Sequence, residues 1–515
     1  MSNLNPTISN NRSFFTVFMI ELWERFGFYG MQALIVYYMV QRLGFDDTRA
    51  NLVWGAAAAL IYVAPAIGGW VGDRILGTRR TMLMGAIILA IGYGLMTIPS
   101  ENTWMLFGAL SVIVVGNGLF KPNAGNLVRK IYEGDDSKID SAFTMYYMAV
   151  NIGSTVSMLL TPWIKDYVNT AYHNEFGWHA AFGACCVGLL IGLVNYYFMH
   201  KAMQHIGSEP DQRPLNVKYV LMVLGAGIVC MIGAAVVLQY QEIAKIFVYA
   251  AGVVLLGIFT YLIAKSHRDE RAGLIAALIL TVQTIFFFIF YQQMSTSLAL
   301  FALRNVDWSF NIFGTHLWDW SPAQFQAFNP IWIMLLSPIL AFLYTRAGKR
   351  GGDLSIATKF ALGFAAVAIG FFIYAAAAHF QTMPGKTSSW VMVWGYGASS
   401  LGELLVSGLG LAMIARYVPA RMGGFMMGAY FVASGISQYL GSVFANFAAV
   451  PQDITDPLQT MGIYTTLFFW LGVAGVVCTV IALILVWPMK HLSAIHHAAT
   501  KSGLAGALPT VRSEQ

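Results

Sequence analysis

Of the 515 residues, 57% are hydrophobic and only 10% are charged, against roughly 25% charged in an ordinary soluble domain. That balance excludes a cytosolic enzyme, and at about 20 apolar residues per bilayer crossing the chain holds enough for a dozen or more spans. The net charge of +6 belongs to the loops of such a protein and not to nucleic-acid binding. The four cysteines, Cys185, Cys186, Cys230 and Cys478, all sit in apolar stretches and are expected to be small buried hydrophobes and not a disulfide framework.

Residues 1–13 are polar. The apolar run that begins at Phe14 carries Glu21, Glu24 and Arg25 and has no small-residue cleavage site, so the first span is expected to stay in the protein rather than act as a signal peptide. Apolar runs of helical length, separated by polar or Gly/Pro punctuation, predict fourteen spans, near 14–40, 51–72, 81–99, 104–128, 142–164, 178–200, 217–239, 246–264, 273–303, 325–345, 355–379, 388–415, 423–448 and 462–488. With the N-terminus inside, 22 of the 30 Lys and Arg fall in inner segments, six fall outside (Arg42, Arg49, Lys165, Lys245, Arg304, Lys386) and two lie within spans (Arg25, Lys121). This bias predicts that both termini are cytoplasmic.

Spans seven and eight lie between basic loops at 200–218 and 265–271 and carry no ionisable residue in their apolar interiors. Setting them aside leaves six spans and six, the arrangement of the major facilitator architecture. The basic turns Gly72–Arg80 and Arg346–Arg350, each after the second span of its half, form a weak internal echo. The expected fold is therefore all-α and integral to the membrane, with an N-terminal six-helix bundle over 1–200, a linker with two extra transmembrane helices over 201–270, a C-terminal six-helix bundle over 271–490 and a cytoplasmic tail over 491–515.

Five ionisable residues fall within the spans: Glu21, Glu24, Arg25, Lys121 and Glu403. At roughly 2.5–3.5 kcal/mol each at the bilayer centre, they represent on the order of 12–17 kcal/mol unless paired or hydrated, so they must face a polar interior. On span one, Glu21, Glu24, Arg25, Phe28, Tyr29 and Gln32 share one helical face. Glu21 and Arg25 are spaced to pair across one turn, and Lys121 is the natural partner for the remaining carboxylate. A static ion pair that only orients helices is the plainer reading, but two acids beside one base leave a carboxylate over.

Lys121 and Glu403 stand on the fourth helix of each half, a cation in one and an anion in the other. A small solute that satisfies both walls is a zwitterion with separated charges, such as a short peptide, whose extended form spans about 7 Å for two residues and about 10 Å for three. Asn151 and Asn329 would suit its backbone, although a buried Asn is more often glue between helices. Tyr29, Tyr62 and Tyr430 would hydrogen-bond or stack, set against the alternative of ordinary packing aromatics.

The stretch Glu21-Leu-Trp-Glu24-Arg25-Phe-Gly-Phe-Tyr29-Gly30 resembles the ExxERFxYYG motif of the proton-dependent oligopeptide transporter family. Gly68-Gly69-Trp-Val-Gly-Asp73-Arg74-Ile-Leu-Gly77, Gly118-Leu-Phe-Lys121-Pro122-Asn123, Phe143-Thr-Met-Tyr146-Tyr147-Met-Ala-Val-Asn151-Ile-Gly153-Ser and Gly402-Glu403-Leu-Leu-Val-Ser407-Gly-Leu-Gly410-Leu agree with it in order. The resemblance runs from about residue 14 to 488, with a bacterial dipeptide and tripeptide permease character around Gln293-Met294 and Asn329-Pro330.

The resemblance implies a proton-coupled importer of dipeptides and tripeptides. Glu21, Glu24, Arg25 and Lys121 would couple protons, Lys121 would hold the peptide carboxylate and Glu403 its ammonium. Tyr29, Tyr62, Asn151, Asn329, Gln32, Gln292, Tyr430 and Ser407 complete the candidate substrate-binding set. The extra helix pair would have no transport role, and protons replace any cofactor. The expected setting is a bacterial inner membrane, with the chain working as a monomer.

Three departures stand out. Gln32 occupies a position where the family often has Arg, Gln292 precedes Gln293 where a Glu is common, and Tyr430 replaces a usual Trp. The second of these puts proton stoichiometry in question.

Other readings stay open. Another solute such as nitrate or a peptidomimetic drug would use the same fold, but nitrate has no ammonium for Glu403. An enzyme would need a nucleophile or a metal cluster, and His491, His496 and His497 in the tail are expected to be a solvated, interface-seeking group. A channel is disfavoured because the buried charges have opposite signs.

Overall fold

In the computed structural model, residues 10–352, 354–407, 409, 413 and 416–501 are described. The helices, numbered in chain order, are α1 (Asn10–Tyr37), α2 (Asp47–Val71), α3 (Thr78–Met96), α4 (Thr103–Ile131), α5 (Asp136–Tyr172), α6 (Gly177–Met199), α7 (Val217–Gln239), α8 (Gln241–Lys265), α9 (Arg268–Tyr291), α10 (Ser297–Asn305), α11 (Phe328–Lys349), α12 (Ile356–Ala375), α13 (Ser389–Val406), α14 (Gly423–Ala445) and α15 (Pro457–Lys501). Each expected span falls on a helix, except that 408, 410–412, 414 and 415 of the span near 388–415 lie outside the described residues, as do 1–9 and 502–515.

Among the described residues, ten helical stretches are long and apolar enough to cross a membrane by length and composition alone. Helices α1, α5, α13 and α14 are not among them. Three of the four carry Glu21, Glu24, Arg25, Asn151 or Glu403, and the fourth carries Tyr430 and Gln438; polar residues such as these lower the mean hydropathy.

Helices α1–α6 pack on one another, and α9 with α11–α15 form a second set. The sets meet where α2 lies against α14 and α5 against α11. Helices α7 and α8 lean on α4 and on α14 with most of their surface exposed, as lipid-facing helices do. The arrangement is the major facilitator fold with an added helix pair.

Close approach of helices sets where the charged residues point. A Cβ on Gly68 would sit 1.7 Å from the carbonyl oxygen of Gly118. Only glycine at 68 lets α2 and α4 touch there, one turn before Lys121. Likewise, a Cβ on Gly153 would meet the Leu22 carbonyl at 2.4 Å, where α5 presses on the charged turn of α1.

The structure corrects three expectations and adds one detail. The span near 273–303 is two helices, because a tight turn over Gln292–Ser295 separates α9 from α10: Gln293 Nε2 donates to the Ile289 and Gly441 carbonyls while its Oε1 accepts from Ser297, so side-chain bonds replace the helical ladder.

The spans are all helical as expected, and the added detail is two small hairpins in the connecting loops, β1 (Ser309–Ile312) with β2 (Thr315–Asp319), and β3 (Gln381–Met383) with β4 (Lys386–Thr387). The first turns through Phe313 and Gly314, both at positive φ, as a two-residue hairpin requires. Cys230 is exposed while Cys185 is buried, so the cysteines do not share one environment. His496 is 7% exposed, at a place where a side chain on Gly273 would collide with it, so the tail histidines are not uniformly solvated.

Candidate functional site

Helix α1 buries Glu21, Glu24 and Arg25 almost completely, at 2%, 0% and 2% exposure. Arg25 Nε and Nη2 donate to the two oxygens of Glu24 at 2.5 and 2.6 Å. The anticipated Glu21–Arg25 pair is only a 3.9 Å approach. Glu24 takes the bidentate geometry that a guanidinium fork favours, and Glu21 Oε2 has no hydrogen-bond partner. The guanidinium also lies 4.6 Å from the Phe28 ring centre, and its Nη2 donates to Asn117 Oδ1 at 2.9 Å.

Lys121 makes no ion pair among the described residues, contrary to the expectation that it neutralises the spare carboxylate. Its ammonium stands 5.5 Å from the centre of the Tyr62 ring and faces a small cavity shared with Arg25, Gln32, Gln292 and Gln438. Pro122 follows it inside α4.

The central cavity, about 800 Å³ counting the open space at its mouth, has Glu403 as its one charged wall residue among the described residues. Asn329 Nδ2 donates to Glu403 Oε2 at 2.6 Å and to Ser400 at 3.1 Å, tying α11 to α13 beneath the carboxylate. Asn151, Ser407 and Tyr430 line the same space. Asn151 Nδ2 is engaged by the Tyr147 carbonyl one turn back, at 2.8 Å. Gln292 is 2% exposed and points its amide at Ser442 across α14, at 3.4 Å.

The two cavities share Tyr29, Tyr62 and Tyr291. The basic and acidic walls therefore belong to adjoining compartments joined by a collar of three phenols. Glu21 and Glu24 line neither compartment.

Several residues went unread in the sequence. Tyr147 and Tyr291 line the central cavity, but among 24 tyrosines nothing marked them. Asn117 carried a legible signal, a polar residue one turn before Lys121 in an apolar helix. At the far end of the bundle, Arg304 Nη1 and Nη2 donate to buried Asp47 at 2.5 and 2.8 Å, and Tyr464 and the Val450 amide close the group at 2.8 and 3.0 Å. Trp54–Ser295, Asn51–Asn446 and Gln326 to the Ala33 carbonyl, each at 3.0 Å, join the halves at that same end.

A twelve-helix facilitator core with charges buried around an internal cavity defines an integral-membrane transporter of the major facilitator class. A model of the POT family matches residues 79–464, and the chain belongs to that family. It is 43% identical over 473 residues to dipeptide and tripeptide permease B of Aliivibrio fischeri, covering 92% of this chain and 93% of that one. It is 40% identical over 498 residues to dipeptide and tripeptide permease A of Escherichia coli, covering 96% and 95%. Among solved structures, tetrameric PepTSo2 aligns with a TM-score of 0.87 at 69% identity, over 94% of this chain and all of that one. The peptide transporter POT in complex with sulfate aligns at 0.77 and 28% identity, over 93% and 95%.

Proposed function

We propose that this chain is a multi-pass protein of a bacterial inner membrane that imports dipeptides and tripeptides in symport with protons by alternating access. The observation that carries the reading is the pair of adjoining compartments, one holding Arg25 and Lys121 and the other Glu403 on its Asn329 support. A zwitterion laid across the tyrosine collar meets a cation at its carboxylate and an anion at its ammonium. Kinship with named dipeptide and tripeptide permeases supports the same substrate class.

Lys121, free of any ion pair among the described residues, is available for the peptide carboxylate, and Glu21, with an oxygen unpartnered among them, is available for the coupling proton. Tyr29, Tyr62, Asn151, Tyr430 and Ser407 contact the peptide, while Gln32 and Gln292 shape the basic compartment. Protons are the coupling ion and no cofactor takes part. The protein is not an enzyme. One chain closes both cavities, so a single copy suffices as the transport unit whatever its assembly.

The bundles over 1–200 and 271–490 act as the two moving bodies, with the helix pair in 201–270 outside the motion; α15 continues to Lys501 and His496 packs beside Gly273, so the start of the 491–515 tail moves with the second bundle. If the count of Lys and Arg sets the orientation, the Asp47–Arg304 end is the outer one, and the structure is latched against the outside. One proton falling through 100 mV supplies about 2.3 kcal/mol, and a pH unit adds about 1.4, enough for a few-hundred-fold accumulation of a neutral zwitterion.

The test is uptake into proteoliposomes. Wild type concentrates dialanine under a proton gradient, and Glu21→Gln loses uphill uptake while retaining exchange. Full concentrative uptake by that variant rejects the coupling role. Competition by nitrate in place of dialanine rejects the substrate class.

A further inference from the structure

Arg25 sits among several acceptors and bonds them unequally. Its fork is fully committed to Glu24, it approaches Glu21 no closer than 3.9 Å, and its Nη2 carries one further bond, to Asn117. Asn117 is 0% exposed, so both ends of its amide need partners. Oδ1 accepts from Arg25 at 2.9 Å and Nδ2 donates to the Ile61 carbonyl at 3.4 Å. The opposite orientation of the amide would set a donor against the guanidinium and an oxygen against a carbonyl. Asn117 thus bridges α1 and α2 from α4, one turn ahead of Lys121 on the same face.

From this geometry we infer that Asn117 is a positioning residue for proton coupling: it holds Arg25 hydrogen-bonded to Glu24 and only at ion-pair distance, 3.9 Å, from Glu21, so that Glu21, faced also by Tyr146 from α5 and by Lys121 from α4, keeps one oxygen open to the proton and Lys121 stays open to substrate. A neutral acceptor suits the task. It anchors a buried cation without adding a third carboxylate to a cluster that already has two. The inference rests on the proposed role of Glu21.

Without Asn117, Nη2 loses its outer anchor and the guanidinium is free to turn toward the unpartnered oxygen of Glu21. A cation nearer Glu21 makes the proton harder to hold, whereas an added anion makes it easier. Two variants should therefore act in opposite senses. In Asn117→Leu the half-maximal pH of gradient-driven dialanine uptake moves toward acid, and in Asn117→Asp toward alkaline, each by about half a unit or more, as expected for a neighbouring charge. Exchange of dialanine without a gradient falls far less than uphill uptake in both.

The experiment measures pH profiles of driven uptake and of exchange for wild type, N117L, N117D and E21Q in the same proteoliposomes. Displacement in the two directions supports the inference. Unmoved profiles, or displacement of both to the same side, overturn it. If N117L does not purify as folded protein, N117D decides alone: an alkaline displacement supports and none overturns. Should E21Q still concentrate dialanine, the reading of Glu21 fails first; should E21Q lose coupling while N117D keeps the wild-type profile, only the role of Asn117 falls.

Discussion

One guanidinium stands between two carboxylates and holds them unequally. Arg25 resolves the competition in favour of Glu24, its neighbour in sequence, because only that acid offers two oxygens to the fork. Helical spacing pointed to Glu21 at i,i+4, and that ion pair is present at 3.9 Å; what spacing did not show is that the hydrogen bonds go to Glu24, because periodicity reports which side chains share a face, whereas a long flexible Arg can fold back on the residue beside it. The same limit hid the collar. Spacing placed Glu403 and Lys121 on the inner walls of opposite halves, and both do border cavities. It carried no information that Tyr29, Tyr62 and Tyr291 would stand between the compartments, since that depends on how three separate helices are rotated.

At the scale of elements, the bond from α10 to the start of α2 has the clearest consequence. Asp47 is buried and takes three donors, two of them from Arg304. Breaking a buried pair by removing one partner costs on the order of 3–5 kcal/mol, charged here against the latched form. Arg304→Gln should therefore raise several-fold the labelling of a cysteine introduced at Asn51 by a membrane-impermeant thiol reagent, and the swap of Asp47→Arg with Arg304→Asp should restore protection. Unchanged labelling in Arg304→Gln means that the pair latches nothing.

Helix crossings give a second prediction at this scale. Gly68→Leu puts a side chain where a carbonyl already lies, so the variant should lose more than about 4 kcal/mol of stability or fail to assemble, readable as lost yield and a lowered unfolding temperature. Stability close to wild type would mean that α2 and α4 part without cost. The latch, like the break between α9 and α10, was illegible in the sequence for a shared reason. Arg304, Asp47, Gln292 and Gln293 stand near the ends or inside long apolar runs, where a single polar residue does not alter the length-and-hydropathy signal.

For the whole molecule, composition and charge count were enough to recover the membrane class, the six-plus-six division and the extra pair. Bilayer insertion enforces these through bulk apolar content and loop charge. What a bilayer does not enforce is which inner face meets which across the cavity, and that is where the geometry of two compartments adds to the motif.

The central claim is that the two ends of a peptide are held by two opposite charges in adjoining compartments. Its most direct test is a binding cycle with four ligands, dialanine, its N-acetyl form, its C-terminal amide and the doubly blocked form, on wild type, Glu403→Gln and Lys121→Gln. Charge-assisted contacts of about 1.5–3 kcal/mol should cost wild type roughly ten-fold or more for each blocked end. Acetylation should then cost Glu403→Gln almost nothing further, and amidation should cost Lys121→Gln almost nothing further. If instead each blocked end weakens its matching variant as much as it weakens wild type, neither residue holds the end assigned to it.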